Sequence, residues 1–141
     1  MEIRAVLDTN VVLAAENSSN PDSPNREIIR RWLAGDFVLL VTDDVVSEYA
    51  EKLLSIGKLP QEILRFLSSI YVLSEAVQIR FFHLRHYPAD FDDVHFLLCA
   101  INGEASHLVS YDPHLLDLRA VYDDFTVCLP LQFLQDLRKL D

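Results

Sequence analysis

The sequence predicts an α/β protein with a mainly parallel sheet, folded as a single domain over residues 1–141. Three observations predict it. Short apolar runs, partly β-branched, alternate with longer segments of helical periodicity. Proline and glycine fall where helices should start and stop. Half of the 141 residues are apolar, enough for one substantial core, and neither an internal repeat nor a long linker divides the chain.

In order along the chain, residues 2–7 form a short apolar run that reads as a buried strand ending at Asp8. A helical turn is expected over Val11–Glu16, then a polar, proline-containing loop to Asn25. Asn25 is placed to cap a helix that stops at Gly35. Phe37–Val41 reads as the second strand. Thr42 or Asp43 opens a helix that runs to Ile56, before Gly57, and Pro60 opens another that runs to Tyr71. Residues 76–84 read as a strand. Asp90–Asp93 lead into a helix over 93–103, and His107–Tyr111 is a strand. Asp112 and Pro113 open a short helical turn, Phe125–Cys128 is the last strand, and Pro130 starts the last helix.

Composition removes several function classes. Three glycines supply no glycine-rich phosphate loop. No apolar run is long enough for a membrane helix. The opening MEIRAV lacks the basic and apolar regions of a signal peptide, so the cytoplasm is the expected compartment. Cys99 and Cys128 fall in apolar patterns and read as buried, inert thiols, with no zinc-type spacing. The net charge of −10 argues against an extended electrostatic grip on nucleic acid. It leaves a nuclease open, because acids gathered at a metal site account for part of the excess.

The chemistry is carried by acids. Asp8, Glu48, Asp93 and Asp112 each sit near a predicted element boundary or on a helix, separated by 40, 45 and 19 residues. Brought together, they would repel strongly, and a hard divalent cation would relieve that repulsion. Asp8 and Asp112 both follow strands, which places them at the same edge of the sheet, where ligands bind in such folds. Asp8-Thr9-Asn10 contains more capping side chains than one helix needs. On pattern alone Glu48 reads as a solvated glutamate, off the apolar face of Val45, Val46, Tyr49, Ala50 and Leu53. Asp93 shares a helix face with Phe96, Leu97, Ala100 and Ile101, an unusual position for an unpartnered acid. Asp92 points away and reads as solvated or capping; Asp90 caps the helix or assists the site. Asp112 suits the N-cap position before Pro113, which leaves its second oxygen free for a metal.

A Ser110–His107 nucleophilic pair is disfavoured, because no GxSxG elbow is present. The histidines at 83, 86, 95, 107 and 114 show no HExxH spacing and read mostly as surface or core-edge groups. Trp32 reads as helix packing, and Arg30 and Arg31 as a solvated face rather than a partner-binding surface.

Taken together, VLDTNVVLAA, VVSEYAEKL, DFDDVHFLLCA, HLVSYDPHLLDL and CLPLQFLQDL resemble, in order and spacing, the successive motifs of the PIN domain family. The resemblance is closest to VapC-type toxin components of toxin–antitoxin pairs. It implies a three-layer α/β/α sandwich with an acidic pocket at the carboxyl edge of the sheet. It also implies Mg²⁺- or Mn²⁺-dependent hydrolysis of RNA, with Asp8 and Asp93 holding the principal ion and Glu48 and Asp112 completing its shell. Thr9, Asn10, Ser110 and Asp90 would support them. By the same resemblance a small antitoxin and a second copy of the chain are the expected partners, and it reverses the pattern-based reading of Glu48. Two departures stand out: Ser110 replaces a threonine, and His114 stands where an acid is frequent. Two other readings compete. One is a catalytically silent binding module. The other is a haloacid-dehalogenase-like phosphatase, which needs an acid where Asn10 stands.

Overall fold

A computed structural model describes residues 2–141. The chain runs β1 (Arg4–Leu7), α1 (Thr9–Asn17), α2 (Pro24–Leu33), β2 (Val38–Val41), α3 (Asp43–Ser55), α4 (Pro60–Leu73) and β3 (Glu75–Ala76). A 3-10 turn (Phe91–Asp93) leads into α5 (Val94–Asn102), followed by β4 (His107–Val109), α6 (Pro113–Leu116), β5 (Thr126–Cys128) and α7 (Pro130–Arg138). All strand pairs are parallel, in the order β3-β2-β1-β4-β5.

The strand order explains where a site can form. From β1 the chain travels outward to β2 and β3, then returns past β1 to β4 and continues to β5. Crossovers between parallel strands are right-handed in nearly all cases, so this reversal puts α5 on the opposite face from α1 to α4. The result is an α/β/α sandwich. Folds of this kind bind ligands in a crevice at the point where the strand order reverses, which here is where β1 and β4 lie side by side and their following segments part. In the register of these two strands Leu7 is level with Val109, so Asp8 and Ser110 leave the sheet together.

Both faces of the central strands are dry, which is why these runs are continuously apolar rather than alternating. Ala5, Val6, Leu7, Leu39, Leu40, Leu108 and Val109 are fully buried. Trp32 packs edge-on to Phe66, joining α2 to α4, and Phe37, just before β2, packs edge-on to Phe133 of α7. Proline stands in the first turn of α2, α4, α6 and α7, where a missing N–H costs nothing. Thr42 caps α3 by accepting the Val45 N–H at 3.2 Å. Gly35 and Gly57 take positive φ angles of 84° and 86° just past α2 and α3, a backbone conformation that suits glycine. Gly103 serves differently. A Cβ there would lie 2.9 Å from the Cys99 carbonyl, Leu40 and Val77, so its small size lets α5 end against β2.

Three expectations are corrected. The strand expected over 76–84 is only Glu75–Ala76, paired with Leu40 and Val41 at the sheet edge. Beyond it the backbone turns to a side chain, with the Arg80 and Phe81 N–H groups donating to Asn102 Oδ1 at 2.7 and 2.8 Å. Second, α2 begins at Pro24 rather than at an Asn25 cap, and Asn25 is buried, donating from Nδ2 to the Tyr111 hydroxyl at 2.9 Å. Third, Arg31 is not simply solvated: it pairs with Glu27, Asp36 and Asp141, joining α2 to the chain end. Trp32 is core, and both cysteines are buried and free. Among the described residues, no helix is long and apolar enough to cross a membrane.

Candidate active site

The crevice at the end of β1 and β4 is lined by acids from four separate segments. Asp8 stands at the N-cap position of α1, yet its side chain makes no cap bond. It is buried, and its Oδ2 accepts the Ser110 hydroxyl at 2.6 Å. Ser110 is itself fully buried and also accepts the Asp112 N–H at 2.8 Å. One hydroxyl therefore ties the acid after β1 to the acid after β4. Burial raises the Asp8 pKa; the Ser110 bond opposes that, and the charges of Asp112 and Glu48 add to it.

Glu48 enters from α3. Its side chain is 24% exposed, and it accepts a hydrogen bond from the Thr9 hydroxyl. This corrects the reading of Glu48 as a solvated helix residue: the border of the α3 apolar face lies against α1, where a polar partner waits. On its other side His95 Nε2 lies 3.4 Å from Glu48 Oε1. Tyr49, the next residue, is fully buried behind the crevice and donates to the Leu7 carbonyl, bracing the end of β1.

Asp93 comes from the 3-10 turn before α5. It is 7% exposed, and its Oδ2 is buried with no hydrogen-bond partner. An ionised oxygen left in that state is costly. Burial is the largest cause of its strongly raised pKa, followed by the neighbouring carboxyl of Asp112 and then by Asp8 and Asp90. Asp90 is exposed and caps the turn, its Oδ1 accepting the Asp92 N–H at 3.0 Å. Asp92 is exposed, in keeping with its solvated reading. Asp112 caps α6 through Oδ1, which accepts the His114 N–H at 2.9 Å. Asn10 is exposed on α1 and bonds to none of the acids.

The acids thus share one electrostatic environment. An oxygen-only set of this kind, with an orphaned buried oxygen in its midst, fits a hard divalent cation. Asp8, Asp93, Asp112 and Glu48 could hold it; among the described residues, the one group of three such side chains with ligand atoms within 4.8 Å of one another is Asp90, Asp93 and His114. Sequence reasoning passed over Tyr49, His95 and the Asn25–Tyr111 pair. Only Tyr49 carried a signal, since a tyrosine on an apolar helix face needs a partner for its hydroxyl. The Ser110–His107 pair does not form. His107 lies at the opposite end of β4, its ring 2.8 Å from both Ser106 Oγ and Asp136 Oδ2.

A doubly wound sheet with an acid-lined crevice at its switch point defines the class. The PIN domain family matches residues 4–114, and the chain belongs to that family. Among solved structures, the chain is similar to VapBC2 from Rickettsia felis bound to a DNA fragment from their promoter. The TM-score is 0.58 at 16% identity, covering 90% of this chain and 98% of that one. It is similar also to PAE2754 from Pyrobaculum aerophilum, with a TM-score of 0.60 at 15% identity over 98% of this chain and 90% of that one. No match is found among curated proteins.

Proposed function

We propose that this protein is a metal-dependent endoribonuclease and the toxin of a toxin–antitoxin pair. One observation supports the catalytic reading above the others: acids from four segments meet at the switch point, and the most perturbed of them, Asp93, keeps a buried oxygen without a partner. A purely structural cluster would be expected to satisfy that oxygen. Membership of the PIN family and a fold shared with a VapBC structure support the rest.

In this reading Asp8 and Asp93 would hold the principal Mg²⁺ or Mn²⁺ ion, and Asp112 and Glu48 would complete its surroundings directly or through water. When bound, such an ion would supply a lowered pKa for its water and a positive charge beside the leaving oxygen. Ser110 fixes the orientation of Asp8 through its 2.6 Å bond, and Thr9 does the same for Glu48. Tyr49 holds the strand end from which Asp8 projects. RNA is the substrate, a small antitoxin the regulatory partner, and a homodimer the working form in the cytoplasm. At a net charge of −10, RNA affinity depends on the bound cation rather than on a broad basic surface.

The test is cleavage of single-stranded RNA by the purified protein, with Mg²⁺ or Mn²⁺ and with a chelator. Metal-dependent cleavage is expected in the wild type and not in Asp8→Asn. Equal cleavage by both, or cleavage that survives chelation, contradicts the proposal. Growth arrest on expression, relieved by a neighbouring small protein, tests the toxin role; harmless accumulation of soluble protein counts against it.

A further inference from the structure

Asp93 has several charged neighbours. Asp112 and Asp8 both act on its carboxyl. In addition, a carboxylate oxygen of Asp90, one of Asp93 and a ring nitrogen of His114 lie within 4.8 Å of one another. The acids alone would not make a site, but Asp93 is buried and its Oδ2 has no partner. His114 brings a different donor chemistry. Its ring is half exposed, and Nδ1 lies 3.6 Å from Asp112 Oδ1, beyond hydrogen-bond length, so no bond ties the ring away from an ion. Asp90 spends only Oδ1 on its cap, which leaves its second oxygen available.

We propose that Asp90, Asp93 and His114 form a second cation subsite, which takes a transition-metal divalent ion such as Mn²⁺ in preference to Mg²⁺. This rests on the proposed metal-dependent reading and deepens it. An ion with bonds of about 2.1 Å places its ligand atoms roughly 3–4 Å apart, so the exposed Asp90 and His114 side chains need to close in only slightly. The imidazole sets the preference. Mg²⁺ favours oxygen and gives up its water reluctantly, whereas first-row transition ions accept nitrogen readily. The position where His114 stands therefore changes which ion the crevice selects, with Asp93 shared between the two subsites.

The direct readout is pulsed electron paramagnetic resonance of Mn²⁺ bound to the folded protein, which detects a coordinated imidazole nitrogen through its ¹⁴N modulation. Wild-type protein should show ¹⁴N modulation, and His114→Ala should lose it. By calorimetry His114→Ala should also weaken Mn²⁺ binding about tenfold while changing Mg²⁺ binding less than about twofold. His114 is exposed, so its replacement leaves the fold intact; His95→Ala controls for the other histidine near the acids. Bound Mn²⁺ without ¹⁴N modulation overturns the subsite and leaves the oxygen-only site standing. Modulation lost in His95→Ala but kept in His114→Ala also overturns it. No Mn²⁺ binding at all overturns both readings together.

Discussion

Replacing Asp93 by asparagine should make the metal-free protein more stable. The substitution keeps the shape and removes a carboxyl that folding must either bury as a charge or protonate, at a buried oxygen without a partner. Carboxylates of Asp93 and Asp90 come within 4.8 Å. Two like charges at that separation repel by about 1 kcal/mol in a water-like medium and by about 3–4 kcal/mol at an effective dielectric constant near 20. Asp90 is exposed, which favours the lower figure, while Asp8 and Asp112 add repulsion of their own. Against this, a negative charge at the start of α5 is worth roughly 0.3–1 kcal/mol. No side-chain cap bond is lost, because Asp93 makes none. The net gain is about 1–2 kcal/mol, or a rise in Tm of roughly 3–10 °C for a chain of this size. The pH dependence carries a second signature. Asp93 has a folded-state pKa above its ordinary value of 3.8, so its favourable protonated contribution is complete below about pH 4 and is lost as pH rises through the raised folded value. The advantage of Asp93→Asn should therefore be absent at low pH and grow toward neutral pH. Thermal unfolding in chelator across that range measures both. Adding Mn²⁺ should reverse the order, because only the wild type gains from binding. A lower Tm for Asp93→Asn near neutral pH in chelator would refute the reasoning.

Other substitutions test the supports of the crevice. Ser110→Ala strands Asp8 Oδ2 and the Asp112 N–H in the interior and should cost about 1–3 kcal/mol in urea unfolding, with Ser110→Thr recovering much of it. Tyr49→Phe removes the bond to the Leu7 carbonyl and should cost about 1 kcal/mol by the same measurement, while lowering RNA cleavage by loosening the strand end that carries Asp8. Gly103→Ala forces a methyl against the Cys99 carbonyl at 2.9 Å and should destabilise the protein by about 1–3 kcal/mol, seen as a lower denaturant midpoint at unchanged slope.

Much of the fold was legible because its punctuation is local. Proline at the helix starts and glycine past α2 and α3 act on their own backbone, so they can be read without knowing the neighbours. Asp8 and Asp112 were legible for a related reason, since a polar side chain right after an apolar strand must leave the sheet at its carboxyl edge. Glu48 was not legible by pattern. A helical wheel reports distance from the apolar face but not what packs against its border, and here that is Thr9 on another helix. The strand over 76–84 failed similarly. Its apolar residues satisfied the period, but only β2 was available as a partner, and Asn102 took the N–H groups just beyond. His114 and Asp90 drew notice only as a departure and a helix cap. Their approach to Asp93 depends on the turn before α5 folding back toward the end of β4, which no local signal reports.

The central claim is that these distant acids meet in order to hold a cation. Anomalous diffraction from crystals soaked in Mn²⁺ measures this most directly. The account predicts a peak in the crevice within about 2.0–2.4 Å of carboxylate oxygens of Asp8 and Asp93. A crevice without a peak, while Mn²⁺ binds elsewhere on the same molecule, would contradict it.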